Sequence, residues 1–592
     1  MRFAITLFVM FLVLPVSASA LSFENAPSIS EMLSKVEIKG TVETVGSVQK
    51  VEFNVSIPQE DEFQKIESLQ VSHPYIFVED RYGNRWIKIE VNMPPDKIDY
   101  TVQATVRTYR KTSATTDHKE EFLKPTYLVQ STDPEIVSLA QSVATGNNDF
   151  EKISEMVKWT HESITYDLAY GEVNLTAKET LNLRKGVCDE YATVLLSMAR
   201  SQGYSAAYAV GYAYGRGYTA EASFNAHGWT EIYTDSGGFP ADPTWMESGF
   251  VDATHIKFLT IPDGIFTLVK ASAVGFGDFR VKLSKVSATI TPLETEEEPL
   301  IRASSSLLAN PVWNGFAVVK TDLSANGCYA TKVETASCTI NSAEFFKAED
   351  SSQPISFCNQ KQIFTIFKPS APVNDAYKYV CPISISTIGG NREKVNVSVQ
   401  KTDTGSVSLV VDKKTVTPNE ELMATAPGAY LFTTDGQYGI NSLKMTAPPT
   451  NFKVYAYNAG ALASEDVSVV KVKTLDLSLA ANATVRVGES VTVLLSVTNL
   501  LQRPQSIQAT FRGNTQSAEV LDRKVFVFNY TSASTEDNFI QVSIQSDGYS
   551  TVLSKVINIQ EREKGFVEQI LDFLVNIVDR IALAISAYFP SK

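Results

Sequence analysis

The sequence predicts an α+β core preceded by a β domain and followed by about three β-sandwich, Ig-like domains and a C-terminal amphipathic helix. Three observations carry this prediction. Apolar residues alternate with period two from about Ser34 to Thr112, recur at helical spacing between Pro134 and Arg200, and return to short strand-like runs from about 300 to 560. Helices followed by strands within the middle stretch mark an α+β domain.

The chain opens Met1-Arg2, runs apolar from Phe3 to Val16 and reaches Ser17-Ala18-Ser19-Ala20. A basic start, a short apolar run and a small-x-small ending describe a secretory signal peptide over 1–20, with an uncleaved anchor as the alternative. A secreted or cell-surface chain beginning near Leu21 is expected. The remaining length exceeds one hydrophobic core. Net charge is −14 and no stretch is strongly basic, so nucleic acid is not an expected partner.

The N-terminal β domain is placed at 21–124 from runs such as Val36-Glu-Ile-Lys-Gly and Trp86-Ile-Lys-Ile-Glu-Val, with a turn at Tyr82-Gly-Asn84. The α+β core is placed at 125–280. Ile153, Met156, Val157 and Thr160 form one helical stripe, and Thr176-Ala-Lys-Glu179 is a capping box. A longer helix runs from Cys188 to Arg200, and strands follow at Ala206–Tyr214, at Trp229–Tyr233 and near Asp242. The acidic, proline-flanked run Glu294–Pro299 suggests a linker over 281–300. Three β domains are then expected at 301–402, 403–474 and 475–560. Segment 561–592 reads as an amphipathic helix. Its apolar part, 565–589, carries Glu568, Asp572, Asp579 and Arg580, which argue against a simple span. A membrane surface or self-association through this segment is the expected use, and packing on the last β domain is the alternative.

Four of the five cysteines, Cys328, Cys338, Cys358 and Cys381, lie together in an exported chain. Two disulfides are expected, with three pairings open; a zinc site is the alternative, without C-x-x-C spacing or a nearby histidine. Cys188 is left alone, after Gly186 and at a helix start. A nucleophilic cysteine works as its thiolate, and a helix N-terminus favours that anion, so a lowered pKa is expected. Gly186 is read as allowing a tight turn before it. A thiolate needs a proton acceptor, and His227 stands in Asn225-Ala-His-Gly-Trp-Thr-Glu-Ile-Tyr233, where alternation puts His227, Trp229, Glu231 and Tyr233 on one face. Asp242, beyond a turn at Ser236-Gly-Gly238, is placed to orient the imidazole from a neighbouring antiparallel strand.

These residues carry a resemblance. Trp159-Thr-His-Glu-Ser-Ile-Thr-Tyr166, Gly186-Val-Cys-Asp-Glu-Tyr-Ala192, Gly203 to Tyr212, His227-Gly-Trp-Thr-Glu231 and Asp242-Pro-Thr-Trp245 together resemble the transglutaminase-like superfamily, with its papain-like core, over residues 125–260. The resemblance implies Cys188 as nucleophile, His227 as base and acid, and Asp242 as orienting carboxylate. Phe239-Pro-Ala241 departs from the family pattern, and Pro240 suggests an edge strand or bulge. The Cys188 N–H is a candidate oxyanion donor, and Trp159 or Asn182 are side-chain alternatives. Trp159, Trp229 and Tyr212 are expected to bind substrate. No metal and no cofactor are expected, and no acidic loop has calcium-binding spacing. The chemistry implied is acyl transfer at a protein or peptide carboxamide: a peptidase or amidase first, a protein-crosslinking transglutaminase second. A catalytically silent adhesion or assembly protein is the reading of a different class.

Overall fold

The computed structural model describes residue 23 and residues 26–561, apart from 114–119, 147, 216–222, 235–236, 285, 313–314, 341–342, 350–353, 370–376, 400–405, 471–473, 502, 536 and 547–548. The expected signal peptide and the segment 565–589 lie outside the described residues, apart from Phe23 just after the former. Among the described residues no helix is long and apolar enough to cross a membrane.

One strand organises the N-terminal part. Ile29–Ser56 runs for 28 residues and shifts register around Gly46, whose φ of 87° is open to glycine without strain. Its first half pairs with Lys97–Tyr109 and its second with Arg85–Asn92. Val36, Ile38, Val42, Val51, Phe53 and Val55 point into a common core. Two further strands reach it from beyond the helical region: Val269–Leu283 pairs with its second half and Ser287–Glu297 with its first. The linker expected over 281–300 is therefore mostly strand. Its acidic residues lie on an outer strand that has this one neighbour, where charge discourages pairing with another chain.

Four α-helices follow: α1 (Pro134–Val143), α2 (Asp149–Ser163), α3 (Ala177–Leu183) and α4 (Cys188–Ser201). The capping box of α3 forms, Thr176 Oγ1 accepting from Glu179 N at 3.3 Å and the Glu179 carboxylate accepting from Thr176 N at 2.9 Å. The sequence suggests one apolar face for α4, but nearly the whole helix is buried, Asp189 alone being partly exposed. α4 is thus a central helix. Fully buried Arg200 fixes its end by donating to the carbonyl oxygens of Ala206 and Lys124, at 2.7 and 2.8 Å, and of Pro262. Burial lowers this guanidinium to about 9.

The α+β core shares one sheet with the module that follows it. The order runs Ile256–Ile261, Ser205–Tyr214, Phe224–Thr234, Gly237–Asp242, Glu247–Ser248, Ala317–Ala336, Pro354–Pro369 and Phe346–Ala348. Two disulfides, Cys328–Cys358 and Cys338–Cys381, lock the second half, settling the pairing that the sequence left open. They fit folding in an oxidising compartment. Beyond them, residues between Val410 and Val469 enclose one apolar core. Residues between Leu475 and Gln560 build a three-stranded and a four-stranded antiparallel sheet around another.

A buried ion cluster joins the N-terminal sheet to the core. Glu231 is 2% exposed, and its Oε1 receives Lys111 Nζ at 2.6 Å and Lys257 Nζ at 3.0 Å. Both lysines also reach Asp61, at 3.3 and 2.9 Å. Burial alone would raise the Glu231 carboxyl; the two ammonium groups outweigh it and hold it well below the usual carboxylate range. A depressed carboxyl stabilises the fold above its unfolded pKa of about 4.3 and loses that contribution as pH falls through the folded value. Glu231→Ala should therefore lower the apparent melting temperature sharply at neutral pH, by the equivalent of about 3 kcal/mol, since it leaves two buried cations with Asp61 as their one remaining carboxylate. Calorimetry would show a smaller loss for Asp61→Leu/Lys111→Met/Glu231→Leu/Lys257→Met, which removes all four charges together.

Candidate active site

The site forms where the start of α4 meets two adjacent strands. Phe224–Thr234, the histidine strand, pairs antiparallel with Gly237–Asp242, the aspartate strand, in a register that sets Ala241 opposite Thr230. His227 and Asp242 end on neighbouring strands, and His227 Nε2 lies 2.8 Å from Asp242 Oδ2. Asp242 is fully buried, and its Oδ1 accepts from Thr244 N at 2.8 Å. Burial opposes its ionisation, but the His227 imidazole, with that of His255, holds the carboxyl well below the usual range. Pro240 sits within the sheet instead of at an edge. Its missing N–H is tolerated because Glu247–Ser248 pairs only with Ala241 and Asp242, and beyond them Gly249 N donates to the Pro240 carbonyl oxygen at 3.0 Å.

Cys188 is the first residue of α4 and is 8% exposed. The preceding Gly186 serves a purpose other than a tight turn: a Cβ there would stand 2.4 Å from the Cβ of Glu190. That room lets the Glu190 carboxylate accept from Val187 N at 2.8 Å and Leu175 N at 3.3 Å, holding the chain that leads into the helix. Burial lifts the Glu190 carboxyl to about 7. The Gly228 backbone N–H, next to His227, favours the Cys188 thiolate. A Cβ on Gly228 would meet the Tyr208 hydroxyl at 1.8 Å, so glycine is required where that ring crosses the backbone.

The thiol itself departs from expectation. Burial pushes Cys188 well above its ordinary value, and the adjacent Asp189 carboxylate adds to this, against the Gly228 N–H. Sγ donates to Asp189 Oδ1 at 3.5 Å, and the Tyr208 hydroxyl donates to the same oxygen at 2.6 Å. Desolvation outweighs the helix-terminal field here, so the resting group is a neutral thiol.

The three residues expected from sequence to bind substrate each have protein neighbours. Trp229 is buried at 2% exposure, its ring 6.0 Å from His227, so it supports the imidazole from within the core. Half-buried Tyr212 packs on Phe258 at 5.4 Å, and Trp159 lies under the Arg184 guanidinium at 4.9 Å. Two residues that the sequence did not single out are at the site. Trp245 stacks on His227 at 4.3 Å and 11° between planes, and His255 Nε2 approaches Asp242 Oδ2 at 3.4 Å. Trp245 was visible in the Asp-Pro-Thr-Trp motif, whereas His255 carried no local signal. The His227, Asp242 and His255 ligand-type atoms lie within 4.8 Å of one another, as do those of Glu247, Asp252 and His255. Such spacing suits a cation, yet hydrogen bonds between the triad residues and His255 account for the first set without one.

With this geometry in view, residues 137–246 match the transglutaminase-like superfamily, so the chain carries a transglutaminase-like domain. The match supports a cysteine-dependent enzyme at the level of the superfamily. The chain is similar in structure to a proposed cysteine protease from Cytophaga hutchinsonii, with 19% identity, TM-score 0.34, and coverage of 45% of this chain and 93% of that one. It is similar also to E. coli alpha-2-macroglobulin in its native conformation, with 9% identity, TM-score 0.17, and coverage of 61% and 29%. A third likeness, to the eight N-terminal Ig domains of Down Syndrome Cell Adhesion Molecule, has 10% identity, TM-score 0.18, and coverage of 60% and 56%. No curated protein matches the chain.

Because the Asp189 carboxylate helps hold the thiol protonated, Asp189→Asn should move the inflection of Cys188 alkylation to lower pH. Iodoacetamide rates near neutrality should rise, as the thiolate fraction grows when a neighbouring negative charge is removed. An unmoved profile would show that burial alone sets the thiol.

Proposed function

We propose that this protein is an exported cysteine-dependent acyl-transfer enzyme, a peptidase or amidase that works through Cys188, His227 and Asp242. The observation that carries the reading is the buried His227–Asp242 pair, 2.8 Å apart, with buried Cys188 at the start of the helix that packs on the histidine strand. His227 commits Nε2 to Asp242, which leaves Nδ1 as the nitrogen to exchange a proton with the thiol. Asp242 fixes the ring and stabilises its protonated form.

The steps follow from these roles. As a carboxamide enters, the Cys188 proton moves to His227 and the sulfur attacks the carbonyl carbon, giving a tetrahedral oxyanion near the start of α4. The Cys188 backbone N–H is the donor at hand. The C–N bond then breaks, His227 returns the proton to the departing amine, and a thioester remains. His227 next removes a proton from water, which attacks the thioester carbon; the C–S bond breaks, releasing a carboxylic acid and restoring the thiol. An amine in place of water would give a crosslink. A neutral resting thiol suits a site in which substrate triggers the proton transfer.

Cys188→Ala should abolish turnover while lowering the melting temperature by only a few degrees, since losing one buried sulfur atom costs about 1 kcal/mol. The check is cleavage of casein alongside incorporation of a fluorescent amine into it. Peptide release without incorporation supports hydrolysis, incorporation supports crosslinking, and wild-type turnover in the alanine variant would sink the nucleophile assignment.

A further inference from the structure

Behind the triad lies a second acid–imidazole unit. His255 is 7% exposed and its two ring nitrogens face two buried carboxylates. Nε2 lies 3.4 Å from Asp242 Oδ2, the same oxygen that holds His227. Nδ1 lies 3.3 Å from Asp252 Oδ1 and 3.2 Å from the Asp252 carbonyl oxygen. Asp252 is itself fixed: Oδ1 accepts from Thr254 N at 2.8 Å and Thr254 Oγ1 at 2.6 Å, and its N–H donates to Glu247 Oε2 at 3.2 Å. Trp229 and Trp245 close on the His255 ring at 5.0 and 5.3 Å, both near perpendicular, and the same two rings stack on His227. The imidazole is locked on every side that the structure describes.

A buried aspartate shared by two imidazoles is over-determined for simple core packing. Its Oδ1 is held by one backbone N–H, and without a second partner on Oδ2 only His227 would orient the carboxylate that is meant to orient His227. We infer that His255 is a positioning residue for the triad: through Asp242 it fixes the plane in which His227 presents Nδ1 to Cys188. This rests on the triad reading and adds a fourth and fifth member, His255 and Asp252, that touch neither substrate nor thiol. The order Asp252, His255, Asp242, His227 is a chain of orienting contacts. Supporting partners of a functional histidine typically act at the level of about 10–100-fold.

The test is a double-mutant cycle read by iodoacetamide alkylation of Cys188 in the full-length protein. His255→Leu should slow alkylation about 10-fold or more when His227 is present. It should have no further effect in a His227→Ala background. His255→Gln, which keeps one N–H for Asp242, should recover part of the rate and covers the case in which the leucine variant does not fold. An equal slowing in both backgrounds would mean a purely structural role and overturn the inference, as would wild-type rates in both His255 variants. If wild type and His227→Ala alkylate at the same rate, the triad reading itself falls and this inference with it.

Discussion

The Glu231 carboxylate is the constraint on which the placement of the site depends. It lies on the strand that carries His227, on the same face, and its two lysine partners come from the segment after the N-terminal sheet and from Ile256–Ile261, on the far side of the neighbouring Ser205–Tyr214 strand. A buried charge with two cationic partners tolerates little displacement, because any shift would leave one of the charges unpaired in a dry interior. Tyr233 adds a hydroxyl at 3.0 Å to the remaining oxygen. The histidine strand is therefore pinned four residues from His227, while its other neighbour, the aspartate strand, is held in register by the sheet. The active-site distance follows from those two restraints.

Against this rigid strand, the thiol is set by opposing effects. The helix start and the Gly228 N–H favour a thiolate; near-complete burial and the adjacent Asp189 oppose it, and burial is the largest. Burial thus favours the protonated thiol. A thiol held protonated reacts more slowly with oxidants and with disulfides, since both reactions proceed through the thiolate.

Local sequence patterns made much of the site legible. The helix start at Cys188, the capping box at Thr176–Glu179, the alternation around His227 and the aspartate on the next strand each depend on contacts within a few residues or across one hairpin. Long-range contributions were not legible. The direction of the Cys188 shift depends on how deeply α4 is buried, and periodicity indicated one apolar face where the fold covers almost the whole helix. The strand at Ser287–Glu297 looked like a break because its partner, Ile29–Lys39, lies some 250 residues earlier and its outer face carries the acids. Trp229 read as a substrate wall from its strand position, but the sheet turns that face inward. His255 was one histidine among five until the fold brought it against Asp242.

The shared sheet also bears on what can be separated. Ser248 of the core pairs with Ala330, two residues from Cys328, and a Cβ on Gly249 would come within 2.6 Å of the Cys328 carbonyl oxygen. The strand next to Asp242 is only two residues long, so its second edge is covered by the disulfide module instead of by water. A fragment trimmed at the end of the transglutaminase-like match would lose Glu247–Ser248 and bare the edge of the Gly237–Asp242 strand itself. The smallest unit expected to fold with its site intact thus runs from the first strand of the N-terminal sheet through the second disulfide, a span that makes the flanking β elements part of the enzyme and not ornaments hung on it.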